Sequence, residues 1–381
     1  MRVQGGQALA GGQLVTADVT IDEACGVIDA VGAESGGGRC LDAAGLYVLP
    51  GIVDIHADAF ERQLMPRPGV GFPIDVALLE SDRQAVSNGI TTMFHGITYS
   101  WEPGLRGPEN ARAILDAVEA LRPQLAADTR LHLRHESFNL DAEAEVAAWL
   151  AQGRIGLLGF NDHLPGRNGP PRARKLAEMA DRAGLAAEDF VALVERLRAR
   201  ADEVPASINR LAAAAREHAV PMLSHDDLNP GQRSWFRGLG CRLAEFPTTI
   251  ETAAEASAAG DDVVLGAPNV VRGGSHIGWI NAADMIGRGY GTILASDYYY
   301  PALLLAAFRL AADNVVPLDR AWALVSEQPA KAAGLVDRGI IASGRRADIV
   351  VVDASDMRRP HVVAALSKGR LVHLTEAARL H

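Results

Sequence analysis

The chain has 381 residues, 48% of them hydrophobic, enough for one large domain or two to three smaller ones. Its net charge of -10 at pH 7 argues against the broad basic face that nucleic acid or an anionic membrane requires. A polyanionic small substrate stays compatible, because a local cluster of arginines is enough to hold it.

Residues 1–49 read as short strands between glycine turns, with Val15, Val19, Ile21, Val27 and Ile28 as apolar positions. The same pattern returns over 341–381, in Ile349 to Asp353, Val362-Val363 and Gly369 to His373. The two ends together predict one small β-sandwich domain. Between them, 50–340 alternates strands with alanine-rich helices. Eight apolar strands are expected, at about 52–57, 90–95, 130–136, 154–161, 220–225, 242–246, 262–267 and 291–297. Eight βα units predict a closed (β/α)8 barrel of the TIM type. The Pro-, Gly- and Arg-rich segment 162–190 reads as a loop with a helix lying over the site. Cys25, Cys40 and Cys241 are too scattered for a metal motif or a disulfide framework. There is no basic-then-apolar leader and no long apolar run, so a cytoplasmic protein without a membrane span is expected.

In such a barrel the reactive side chains sit where the strands end. Strand one ends in His56 and Asp58, two residues apart and therefore on one side. Strand three ends in Arg134-His135-Glu136, strand four in Asn161-Asp162-His163, and strand five in Ser224-His225-Asp226-Asp227. Glu245 closes strand six and Asp297 strand eight. Imidazole and carboxylate are both good ligands for a borderline divalent ion. A lone strand-end histidine is most often ordinary; His56, His132, His135, His163 and His225 together on four strands are not. His132 faces away from His135 and reads as structural. The three lysines, Lys175, Lys331 and Lys368, end no strand, so any group bridging two metals has to be a carboxylate. Arg67, Arg134, Arg167 and Arg272 fall on the same rim. The run Arg272-Gly273-Gly274-Ser275-His276 is suited to an anion nest.

Long segments carry a resemblance, in order, from Leu49 to Tyr298. They are Leu49 to Asp58, Pro66-Arg67-Pro68-Gly69-Val70, Phe160 to Gly166, Ser224 to Asp227, Glu245 to Thr249, Asn269 to His276 and Leu294 to Tyr298. These resemble the ribose-methylphosphonate triphosphate diphosphatases, a phosphonate-pathway family of the amidohydrolase superfamily. The resemblance implies two divalent metal ions, with zinc the expected one. It implies His56, Asp58 and Asp297 on one ion, His163 and His225 on the other, and Glu136 between them. Asp297 would also move the proton as the catalytic base, while Asp162, Asp226 and Glu245 orient the histidines. Arg67, Arg134, Arg167, Arg272 and His276 would hold a small phosphorylated sugar. The implied reaction cleaves a ribosyl 5-triphosphate to the 5-phosphate and pyrophosphate, by attack of hydroxide generated at the metals. A C–N hydrolase of the same fold (a deacetylase or cyclic amidase) is the alternative chemistry. A non-catalytic scaffold in a phosphonate-degrading assembly is the alternative class, and a homo-oligomer stays open. The chain departs from the family at Ala59 and in the loop after His163, which bears on sugar and phosphonate contacts.

Overall fold

The computed structural model describes residues 1–32, 38–67, 69–166, 173–274 and 281–381. Eight parallel strands pair in chain order: Ile52–Ala57, Ile90–Tyr99, Asp128–Glu136, Leu157–Asn161, Met222–His225, Leu243–Glu245, Asp262–Gly266 and Ile293–Ala295. The last returns to the first. Ala57 bridges to Asp297, and the Asp297 N–H donates to the His56 carbonyl at 3.0 Å. The Asp58 N–H donates to the Asp297 carbonyl, also at 3.0 Å. The strands are buried on both faces, which is why they read as apolar runs rather than alternations.

Helices alternate with the strands and several carry their own start signals. Pro108 opens Pro108–Leu121, and its missing N–H costs nothing in the first turn. Asn229, Thr249 and Asn281 cap the helices that follow strands five, six and seven, each side chain accepting backbone N–H.

Two elements differ from the sequence reading. The second strand continues past residue 95 to Tyr99, because strand three supplies ladder partners from Thr92 to Tyr99. Segment 162–190 enters two helices, Ala173–Ala183 and Ala187–Arg198. Met179, Ala183, Phe190 and Val194 pack there with Leu164 and Trp101, so an apolar satellite core overrides the loop-like composition.

The termini form two further sheets. One pairs Arg2–Gln4, Val19–Asp22, Val27–Val31 and Cys40–Asp42. The other joins Gln7–Ala10, Gln13–Thr16 and Tyr47–Pro50 to Ile349–Asp353, His361–Ser367 and Arg370–Leu374. Val3, Ile28, Leu41, Val48, Val351 and Val363 share one core, so both ends of the chain build it. Gly51 links this unit to the first barrel strand. A Cβ there would stand 2.2 Å from Thr91 Oγ1, which only glycine avoids. Among the described residues no helix is long and apolar enough to cross a membrane.

Candidate metal centre

At the C-terminal ends of the strands, three sets of side chains bring ligand atoms within 4.8 Å of one another. They are His56 with Asp58 and Asp297, His163 with His225 and Asp226, and His56 with His225 and Glu245. The histidines share one arrangement. His56 Nδ1 meets Glu245 Oε1 at 2.7 Å, His225 Nδ1 meets Glu245 Oε2 at 2.8 Å, and His163 Nδ1 meets Glu136 Oε1 at 2.6 Å. Each ring is thereby fixed by a buried carboxylate, leaving Nε2 for a ligand. The Nε2 atoms then face a second carboxylate at 3.7 Å (His56 to Asp58), 3.8 Å (His163 to Asp226) and 3.5 Å (His225 to Asp226). Those gaps are too long for hydrogen bonds. They lie within about 0.2 Å of the spacing of two ligands on one tetrahedral ion, which stand roughly 3.3–3.6 Å apart at ordinary zinc bond lengths. The residues present therefore fit divalent metal.

The backbone supports the same reading. Asp226 and Asp297 lie in the left-handed region, at φ 56° and 55°, where non-glycine residues are uncommon. Their N–H groups bond to the neighbouring strand, Asp226 to the Glu245 carbonyl at 2.9 Å and Asp297 to that of His56.

A model of the amidohydrolase family matches residues 252–373. The chain is 33% identical over 330 residues to the alpha-D-ribose 1-methylphosphonate 5-triphosphate diphosphatase of Escherichia coli (strain K12), covering 84% of this chain and 86% of that one. The chain belongs to the amidohydrolase superfamily. An adenine deaminase of Methylobacterium nodulans is 26% identical over 372 residues, and the chain spans 56% of its length. The dihydropyrimidinase from Brevibacillus agri NCHU1002 shares the fold, with a TM-score of 0.65 at 13% identity over 98% of this chain and 95% of that one.

Several expected roles are placed differently in this amidohydrolase. Glu136 belongs to none of the three sets. Both its oxygens serve His163, one the ring and the other the backbone N–H at 3.0 Å, so it orients that histidine rather than bridging two ions. Asp226 joins a ligand set instead of standing behind one. The Asp162 Oδ1 accepts the Leu164 N–H at 3.2 Å. Arg134 is buried and pairs with Asp58 at 2.9 Å, so it neutralises a ligand instead of reaching outward. The Gly273 and Gly274 N–H groups close the preceding helix on Val270 and Asn269, which removes them from an anion nest. Arg67 and Arg272 are exposed. Arg167 and His276 lie outside the described residues.

Sequence reading missed three groups. Asp54 is buried, and its Oδ1 accepts N–H from His56 at 3.2 Å and from Ser296 at 3.1 Å, tying the two ligand-bearing strands together. Its signal was a carboxylate inside an apolar strand. Arg62 lies over the Tyr298 ring at 5.4 Å, and the Arg272 guanidinium reaches the Tyr298 hydroxyl at 3.4 Å. These contacts join residues far apart in the chain and leave no local pattern.

Electrostatics follow from burial and pairing. Burial opposes charge on His56, but Glu245 and Asp58 outweigh it and raise the ring to about 10. His163 likewise rises to about 9 against burial, through Glu136 and Asp226. Asp297 is pushed up to about 7 by burial and by the neighbouring Asp58 charge. In the metal-free protein His56 and His163 are therefore protonated at pH 7, and a ring must lose its proton to ligate. Zinc binding at pH 7 should release about one proton per ion or more, and affinity should climb until His56 titrates at about 10. Calorimetry in buffers of different ionisation enthalpy reads this directly, and a buffer-independent heat would refute it. In the metal-free chain the sign is opposite. These rings stabilise most below their ordinary 6.5, and that contribution is lost as pH rises through about 9 to 10.

Proposed function

We propose that this amidohydrolase is a metal-dependent diphosphatase of phosphonate degradation, cleaving alpha-D-ribose 1-methylphosphonate 5-triphosphate to the 5-phosphate and pyrophosphate. The observation that carries the reading is the double ligand set, with every Nδ1 fixed and every Nε2 turned toward a carboxylate. The similarity to the Escherichia coli diphosphatase supports the substrate. His56, Asp58 and Asp297 would hold one divalent ion, and His163, His225 and Asp226 the other. Such ions supply Lewis acidity and acidify water near neutral pH.

The chain's own residues do the rest. Asp297, at the end of strand eight beside His56 and Asp58, takes a proton from the attacking water and returns it to the leaving oxygen as the α–β anhydride bond breaks. Arg134 holds Asp58 ionised, so that this carboxylate keeps its ligand form. Arg62, Arg67 and Arg272, exposed near the mouth, meet the charge of the polyphosphate.

Purified protein with defined metals should release pyrophosphate from ribose 5-triphosphates and leave N-acetyl sugars and cyclic amides intact. Turnover of an amide with no pyrophosphate from any triphosphate would replace this reading with the C–N hydrolase.

A further inference from the structure

At the end of the barrel away from the ligands, a cavity of about 500 Å³ opens where the terminal β unit meets the barrel. Arg122 to Thr129, leading into strand three, form one wall. The turn after Val19–Asp22, with Glu23 and Gly26, forms a second. The turn between His361–Ser367 and Arg370–Leu374, with Lys368, forms a third, and Arg346 completes the lining. Gly26 lets the two turns meet, because a Cβ there would stand 2.5 Å from Lys368 Cγ. Lys368 takes the left-handed region at φ 50°, with its N–H held by Asp348 Oδ1 at 2.8 Å. Strand three runs from Asp128 here to Glu136 at the metal centre. Eight steps of a strand span roughly 26 Å, so an occupant of this cavity does not reach the metal ligands.

The chain is acidic overall, with 37 Lys and Arg against 47 Asp and Glu, yet this lining is basic. Its two carboxylates have cations of their own. Glu23 pairs with Arg39 and with the N-terminal ammonium, and Asp128 pairs with Arg130 at 3.1 Å and Arg338 at 2.6 Å. Arg346 is neutralised by Asp348 at 2.8 Å. Asp82, whose carboxyl feels the Arg370 charge, accepts the Ala126 and Ala127 N–H groups at 2.9 Å each. Among the described residues Arg122, Lys368 and Arg370 make no ion pair and no side-chain hydrogen bond, and all three are exposed. Thr129 is 2% exposed, and its hydroxyl has no partner among the described residues. Three unpaired cations around one cavity repel one another and favour an anion. Guanidinium forks take phosphate oxygens in pairs, and the volume is that of a small organic ligand rather than a bare phosphate.

We infer that this cavity is a second binding site, for a small organic phosphate carrying two or more negative charges, held by Arg122, Lys368 and Arg370. The site is separate from the metal centre and does not depend on the reaction performed there. Both chain ends and the barrel contribute to its walls, so an occupant ties the terminal β unit to the barrel. Binding therefore also raises the melting temperature by mass action.

The test is calorimetric titration of the metal-loaded protein with AMP, ribose 5-phosphate and inorganic phosphate at fixed ionic strength. The wild type is compared with a triple variant, Arg122→Gln, Lys368→Gly and Arg370→Gln. All three positions are exposed, and glycine suits the left-handed backbone at 368. Wild type should bind at least one organic phosphate saturably. The triple variant should lose that event, or bind about a hundredfold or more weakly, the scale of removing several charge-assisted contacts. Its metal content should stay that of wild type. Arg122→Glu alone, a single change in an exposed segment, should weaken the same event about tenfold or more and abolish the ligand-induced rise in melting temperature. Isotherms unchanged by the variants would place all phosphate binding at the metal centre and overturn the inference. No saturable binding of either organic phosphate by the wild type, or a loss confined to inorganic phosphate, would overturn it as well.

Discussion

Asp297→Asn should lower kcat by about 10²–10⁴-fold, the range expected on losing a general base, while fold and metal content persist. The amide keeps the shape and one ligand oxygen but cannot take a proton. The position is fixed by backbone on both sides: Asp297 donates to the His56 carbonyl and accepts from the Asp58 N–H, each at 3.0 Å. Neither bond involves the side chain, so barrel closure is untouched. Without bound metal, burial and the Asp58 charge push the wild-type carboxyl up to about 7. Metal analysis and single-turnover pyrophosphate release on the same sample read the two properties separately. Near-normal kcat with full metal would place the base elsewhere.

Arg233→Met should cost about 3–5 kcal/mol of stability, the scale for removing one partner of a buried ion pair. Arg233 is fully buried, 3.1 Å from Asp227 and 3.3 Å from Asp261, and it also donates to the Leu243 carbonyl at 3.3 Å. It reaches Ser224 and the Cys241 carbonyl as well. Asp261 keeps Arg237 at 2.6 Å, so the uncompensated charge falls on Asp227. That residue follows His225 and Asp226, and its carbonyl accepts the Thr248 N–H at 3.1 Å. The end of strand five should therefore loosen along with the fold. Urea unfolding measures the loss; a change below about 1 kcal/mol would mean the cluster relaxes onto other partners.

Much of the barrel is legible because its cause is local. A strand buried on both faces needs a run of apolar residues, and a helix on its outside needs a 3.6-residue apolar stripe. Both are written along the chain, so eight strands and a β unit from the two ends could be read from residue order. The strand-end ligands were legible for a related reason. His56, Asp58, His163, His225 and Asp297 are polar residues placed where apolar runs stop, and a barrel turns every such stop toward one mouth.

What each carboxylate does there was decided only by the tertiary structure. Glu136, Asp226 and Glu245 look alike in sequence, each ending or following a strand. Their roles depend on which imidazole nitrogen they face, and that is set by strand stagger and by the left-handed turns at Asp226 and Asp297. Arg134 reads as a free cation at a strand end, yet packing gives it Asp58 as a partner. A pocket beside His225 is lined by residues up to 99 apart in the chain, from Ser137 to Phe236. Local chemistry fixes which segments form strands and which residues can bind metal. Contacts distant in sequence fix which atom meets which, because only closure of the barrel brings the strand ends within bonding reach.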